Sequence, residues 1–284
     1  MARLRFGPAG KPTNFSGEYE EVPPLLRQMG LDALEYEAVR GVRVTREKAE
    51  RIREAAQQND VVLSMHAPYF INLASPEEDT VAKSVERLRE AAQASEWMGA
   101  YAVVFHPGYI KGNASREEAL RRVVEALKGV FEGLDLRVAW LAPETTGKES
   151  QVGDVDEVIR ICQSHDRVRP AVDWAHLHAR AEGAAINSVD EVIKIIEKIE
   201  KELGSWAVRP LHTHFSKIEY GKGGEREHHT LAEEGFGPDW EIVCKAYVET
   251  GIDGVIISES PILEQDALVM KRVCEKYLIE PLRS

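Results

Sequence analysis

Histidine and carboxylate are the chemically informative side chains of this sequence. It carries nine histidines. Eight of them, His66, His106, His176, His178, His212, His214, His228 and His229, fall at or just beyond the C-terminal ends of short apolar runs. Only His165 does not. Carboxylates close the same kind of run at Glu144, Asp173 and Glu259, and Glu227 stands two residues before His229. An unpaired charge at the end of a buried strand is costly, so these groups call for partners. Imidazole and carboxylate converging without thiolate form the ligand set of zinc, manganese or iron. Several such ions held together suit phosphoester hydrolysis, because cations activate water and clamp the attacking and leaving oxygens. Each motif alone has a plainer reading. His66 and His106 could be hydrogen-bonded core histidines, Glu144 and Glu259 ion-paired structural carboxylates, and Asp173 with His176 a helix-cap pair. The segment 227–229 could be a solvated loop. The two histidines of the 212–214 segment share one side of a strand, because alternate strand residues point the same way.

The elements that must position these groups follow from the hydrophobic pattern. Short apolar runs are expected as strands at 4–7, 33–39, 61–66, 102–106, 138–143, 169–173, 208–212 and 254–259. Longer amphipathic segments are expected as helices near 19–29, 45–58, 77–98, 115–133, 153–164, 188–203, 237–250 and 264–279. In the third helix Val81, Val85, Leu88 and Ala92 recur at three- and four-residue spacing. Strict strand–helix alternation predicts a parallel sheet. Eight units predict an α/β fold, a single (β/α)8 TIM barrel over 1–284, with the metal site at the C-terminal face of the strands. The segment of about 218–237 is glycine-rich, charged and too long for an ordinary turn, and reads as a long functional loop. GKGGE at 221–225 lacks the strand-to-helix context of a phosphate cradle. There is no GxSxG nucleophile elbow.

Composition agrees with a globular enzyme. At 284 residues and 43% hydrophobic, the chain has enough apolar surface for a large core. No apolar run reaches the ~20 residues of a membrane helix, and the first residues lack the apolar stretch of a secretory signal. Cys162, Cys244 and Cys274, an odd and dispersed set, read as reduced core thiols of a cytoplasmic protein. The net charge of −12 argues against a broad nucleic-acid-binding surface, yet it suits a protein that concentrates metal cations at one place.

Taken together, HAPYFINLAS (66–75), FHPG (105–108), PETTG (143–147), VDWAH (172–176), LHTHFSK (211–217), EHH…EEG (227–235) and SESP (258–261) resemble endonuclease IV. That family comprises trinuclear zinc enzymes of the xylose isomerase-like barrel superfamily, acting on abasic sites in DNA. The likeness runs in order from about residue 60 to 262. It implies nine ligands: His66, His106, Glu144, Asp173, His176, His212, Glu227, His229 and Glu259. By analogy His66 and His106 with Glu144 hold one metal. Glu144, Asp173, His212 and Glu259 hold the second, and His176, Glu227 and His229 the third. A hydroxide bridging the first two metals would attack the phosphate 5′ to the abasic sugar, with Glu144 and Glu259 as the catalytic carboxylates. The cofactor implied is Zn2+, up to three ions, with Mn2+ as a substitute. The implied partner is DNA with abasic or 3′-blocked sites, with no membrane and no obligate protein partner. Tyr69, Asn72, Arg40, His214 and Lys217 are the corresponding candidates for substrate contact, Arg40 doubling as a solvated surface arginine and Tyr69 as a packing residue.

The sequence also departs from the family. Glu227 stands in place of aspartate, HTHFSK differs from the usual His-Leu-Asn-Asp-x-Lys with His214 replacing asparagine, and ETTG differs from a Glu-Asn-Thr pattern. Trp174 and Trp240 are placed near the mouth. The loops by which the family penetrates DNA are not recognisable. The alternative function is a sugar isomerase or epimerase of the same superfamily, which needs only Glu144, Asp173, His212 and Glu259 and one or two metals. A non-catalytic binding barrel is the third reading, and it predicts lost ligands.

Overall fold

The computed structural model describes residues 3–279. Eight parallel strands run Leu4–Pro8 (β1), Ala33–Glu37 (β2), Val62–His66 (β3), Ala102–Phe105 (β4), Trp140–Pro143 (β5), Ala171–Asp173 (β6), Leu211–Phe215 (β7) and Gly254–Ser258 (β8). They form two four-stranded parallel halves, β1-β8-β7-β6 and β2-β3-β4-β5. Parallel bridges Ala9↔Glu35 on one side, and Leu141↔Val168 and Glu144↔Ala171 on the other, close the halves into a barrel. Closure puts every strand's C-terminal end at one face, where barrel enzymes keep their active sites.

Helices cover the outside. Their starts are chemically marked: Thr45, Ser115, Asp154, Ser188 and Asp239 each accept a backbone N–H at the N-cap. The expected helix near 19–29 is a 3-10 turn, Tyr19–Glu21, running into the α-helix Val22–Met29. The expected helix of 77–98 is found at Glu78–Met98, with Leu88, Ala91, Ala92 and Met98 buried.

Four expectations are corrected. First, the seventh strand lies three residues later than the hydrophobic run suggests. Ser205–Val208 forms a 3-10 turn, and the strand starts at Leu211, just after Pro210. Proline has no N–H to give a central strand. Second, the expected loop of about 218–237 holds an antiparallel hairpin, Lys217–Gly221 with Gly224–His229. Third, Cys244 and Cys274 form a disulfide between the last two helices, their Cα atoms 5.6 Å apart. Cys162 is the free thiol, and burial pushes its pKa up. Fourth, Trp174 and Trp240 are buried in the core. Their indole N–H groups donate to the Tyr247 hydroxyl and the Met270 carbonyl.

Candidate metal centre

Glu144, one residue past β5, lies fully buried at the centre of the C-terminal face. Its two oxygens serve two sides. Oε2 is 2.8 Å from Nε2 of His106 and 3.5 Å from Nε2 of His66. Oε1 is 2.9 Å from Nδ1 of His214 and 3.4 Å from Nδ1 of His176. Glu259, one residue past β8, brings Oε1 to 3.3 Å from Nδ1 of His214. Asp173 ends β6 and caps the short helix Trp174–Arg180. Its Oδ1 accepts the His176 N–H at 2.8 Å, so Oδ2 is left to face the centre, 3.4 Å from the His176 ring. The expected cap pair and the expected ligand pair are thus the same two residues.

The histidine rings are turned by backbone partners. Nδ1 of His66 lies 2.9 Å from the Ala67 carbonyl, and Nδ1 of His176 lies 3.0 Å from the Thr145 carbonyl. A proton on Nδ1 donating to each carbonyl leaves Nε2 free as a ligand, the usual way a protein presets a metal-binding imidazole. Thr145 fixes the frame between strands: its hydroxyl donates to the Asp173 carbonyl at 3.2 Å and accepts the Asp173 N–H at 2.9 Å.

The hairpin supplies the outer side. Ile218 is buried against Ala175 and Ala179, and it pairs with His228, so this face of the hairpin turns inward. The register shifts between Glu219 and Tyr220, inserting Arg226 as an extra residue. A bulge of this kind re-aims side chains, and here it turns Glu225 inward together with His228. Glu225 Oε2 sits 3.2 Å from Nε2 of His176, and the Ser216 hydroxyl lies 2.7 Å from Nδ1 of His228. The close approach depends on glycine. A Cβ on Gly224, whose φ is +113°, would lie 2.0 Å from the Gly147 carbonyl oxygen. This gives the GKGGE and ETTG glycines a packing role.

Three of the nine family-matched positions therefore lie elsewhere. His212 sits deeper in the barrel, its Nε2 3.0 Å from Glu35 and its Nδ1 2.7 Å from the Tyr101 hydroxyl. His214, two residues on, faces the centre instead, because β7 is shifted. Glu227 and His229 lie on the other face of the hairpin with Glu219. His229 stacks on Phe236 at 3.6 Å and faces Glu233 at 3.0 Å. Glu225 and His228 take their place at the centre. Pro210, which delays β7, was the available signal for His214. No sequence signal marks the bulge.

The electrostatics suit a site that binds cations. Burial opposes the charge on Glu144, but the rings of His214 and His106 outweigh it and hold the carboxyl well below its usual range. Burial pushes Glu259 up to about 8, with the Glu144 and Asp173 charges adding to the effect and His214 opposing it. Burial works against protonation of His66, yet Glu144 and Glu37 raise it to about 10. Glu144 Oε2, Asp173 Oδ2 and Glu225 Oε2 are buried with no hydrogen-bond partner. Buried polar atoms rarely stay unpaired, and divalent cations would satisfy all three. Ligand atoms lie within 4.8 Å of one another in the sets His66–His106–Glu144, Glu144–Asp173–His176–Glu259 and His176–His228–Glu259.

A cavity of about 210 Å³ opens above these groups, lined also by Tyr69, Tyr109 and Lys148. Tyr69, which lines it, is 52% exposed, and the neighbouring Phe70 is 63% exposed. Arg40 is exposed on the loop after β2. Asn72 is a structural residue, its Oδ1 accepting the Tyr109 N–H at 3.0 Å. Lys217 donates to the Glu233 carbonyl at 2.6 Å. Two carboxylates of β2, the buried Glu35 and the partly buried Glu37, went unrecognised in the sequence. They sit in an ALEYE run whose alternation points both inward.

Comparison with known proteins agrees with this architecture. An uncharacterised protein of Methanocaldococcus jannaschii is 38% identical over 95% of this chain and 96% of its own. A probable endonuclease 4 of Aquifex aeolicus is 32% identical over 58% of this chain and 59% of its own. Among solved structures, endonuclease IV from Thermus thermophilus superposes with a TM-score of 0.68 at 19% identity, covering 97% of this chain and 99% of that one. A D-tagatose 3-epimerase-like protein gives 0.66 at 21%, covering 88% and 89%. At such identities the two structures speak for the fold alone. The sequence profile described as xylose isomerase-like TIM barrel matches residues 24–274. With eight closed parallel strands and that match over most of its length, the chain belongs to the xylose isomerase-like TIM barrel family.

Proposed function

We propose that this protein is a metal-dependent phosphodiesterase of endonuclease IV type, cleaving DNA 5′ to abasic sites. The observation that carries the reading is the ligand set beyond the four-residue core. His66 and His106 flank Glu144 on one side, and Glu225 and His228 flank His176 on the other. A one-metal sugar enzyme has no need of either pair. His66, His106 and Glu144 would hold one cation, Glu144, Asp173, His214 and Glu259 a second, and His176, Glu225 and His228 a third. Zinc fits this donor set, and manganese is the alternative. Divalent cations there supply charge neutralisation of the phosphate and a water of lowered pKa. Glu144, with one oxygen toward His66 and His106 and the other toward His214, would contribute to both inner positions. Glu259 lines the cavity and is the carboxylate that orients the attacking water. Tyr69 and Phe70, exposed on the rim, offer faces on which bases stack. Arg40 offers a phosphate contact.

The sugar isomerase or epimerase reading keeps one specific support: Glu144, Asp173, His176 and Glu259 form a sufficient four-ligand group by themselves. One experiment separates the two. Metal content per chain is measured by elemental analysis, with nicking of an abasic duplex assayed on the same sample. Near three metals with nicking supports the nuclease. Three metals without nicking moves the chemistry to another phosphodiester. One metal, no nicking and interconversion of a ketose overturns the proposal in favour of the sugar enzyme.

A further inference from the structure

The interior of an eight-stranded barrel is normally filled by layers of branched aliphatic side chains. Here one level beneath the centre is polar. Glu35 of β2, Ser64 of β3, and His212 and His214 of β7 are all at most 1% exposed. Burying a carboxylate is expensive unless its oxygens are paired, and one oxygen of Glu35 is paired twice. Oε2 accepts the Ser64 hydroxyl at 2.7 Å and faces Nε2 of His212 at 3.0 Å. Ser64 is placed for this contact because it pairs with Glu35 in the β2–β3 register. The other ring nitrogen of His212 lies 2.7 Å from the Tyr101 hydroxyl, and Tyr101 packs under the Arg169 guanidinium at 5.0 Å. The remaining oxygen, Oε1, lies at an ion-pair distance of 2.8 Å from Nε2 of His214, and neither of these two atoms makes a hydrogen bond.

We infer that Glu35 is the positioning residue of the metal centre: it takes the Nε2 proton of His214 and thereby turns Nδ1 of that ring to the cation. The opposite nitrogen already faces Glu144 at 2.9 Å and Glu259 at 3.3 Å. An ionised carboxylate only accepts, so the protons around Glu35 are assigned to its neighbours. A proton on Nε2 of His212 points to Glu35, so its Nδ1 accepts the Tyr101 hydroxyl. Ser64 and His212 both donate to Oε2, which anchors the carboxylate and leaves Oε1 for His214. His66 and His176 are turned by backbone carbonyls. His214 lies mid-barrel on a strand whose carbonyls are committed to its neighbours, so a side chain must do the same work. An outer carboxylate of this kind raises the basicity of its imidazole and fixes its orientation.

The inference rests on reading His214 as a ligand, and it is tested without substrate. Glu35→Gln keeps the shape and removes the charge. Zinc affinity is measured by competition with a chromophoric chelator, alongside circular dichroism. The expected result is a native spectrum, an unchanged number of zinc ions at saturation, and roughly 10- to 100-fold weaker binding at one position. Tyr101→Phe, which removes only a hydroxyl at the far end of the chain, should weaken it less, by under about tenfold. Side-chain 15N NMR of the zinc-loaded wild type gives an arm independent of any variant. It should show His214 bound through Nδ1 and protonated at Nε2. Unchanged affinity in folded Glu35→Gln overturns the inference, as does zinc on Nε2 of His214. Loss of one whole zinc equivalent also overturns it, since Glu35 would then itself be a ligand. Zinc binding that depends on Glu35, without abasic nicking, would sink the nuclease reading and leave this one standing. A protein that takes up no zinc at all sinks both.

Discussion

The contrast between His212 and His214 tests the site most directly, because sequence matching selects one and geometry the other. His214 lies against three carboxylates: Glu35 at 2.8 Å, Glu144 at 2.9 Å and Glu259 at 3.3 Å. Burial opposes its protonation, yet those carboxylates raise its pKa well above the ordinary value, which favours the charged ring. His214→Ala leaves buried like charges facing each other. Removing one partner of a buried ion pair costs about 3–5 kcal/mol, and at roughly 2–4 °C per kcal/mol the metal-free variant should melt about 10 °C lower. Metal affinity at one position should fall by more than about 100-fold, since loss of a mere outer-shell partner already costs 10- to 100-fold. His212→Ala removes hydrogen bonds to Glu35 and Tyr101 and leaves a small cavity. Its cost is about 1–3 kcal/mol of stability, and metal affinity should drop by no more than about tenfold. Thermal melts of the metal-free proteins and zinc competition on both variants read these quantities. If His212→Ala loses the metal while His214→Ala retains it, the placement of β7 and the assignment of the second position are both wrong.

The hairpin makes a parallel prediction. Glu225→Ala should release one metal equivalent in elemental analysis, whereas Glu227→Ala, an exposed position facing Glu219, should keep the full complement. Metal uptake should strengthen with rising pH. Protonated Glu259, at about 8, and protonated His66, at about 10, compete with the cation, so deprotonation favours binding. Affinity should climb by up to about tenfold per pH unit for each group below its pKa, and a flat titration from pH 6 to 9 would count against both residues as ligands. Tyr69→Ala and Phe70→Ala should each weaken abasic-duplex binding by about 1–3 kcal/mol, the scale of one stacked base, with metal content unchanged. Equal binding by a double variant, measured by fluorescence anisotropy, would remove the rim from the DNA contact.

The hydrophobic pattern by itself determined the barrel. Eight apolar runs alternating with eight amphipathic segments admit few arrangements, since parallel strands need crossover helices and eight of them close. It also determined which face carries the chemistry, because His66, His106, Glu144, Asp173 and Glu259 each end a strand or follow directly on one, with His176 three residues beyond. Those six positions are local: each is read from the residue next to an apolar run or, for His176, from a helix cap three residues away. Residues that depend on register are of a different kind. A side chain's face alternates at every strand position, so a small displacement changes what it meets. Pro210 and the Ser205–Val208 turn delay β7, and His214 replaces His212 at the centre. A single extra residue at Arg226 turns Glu225 to the inward side of His228, while Glu227 and His229 stay on the outer face. Glu35 meets His214 only across the closed barrel, 179 positions apart along the chain. Cys244 meets Cys274 only because two outer helices pack side by side. Local patterns carry the architecture, whereas register and closure, which are long-range, select the side chains that share the centre.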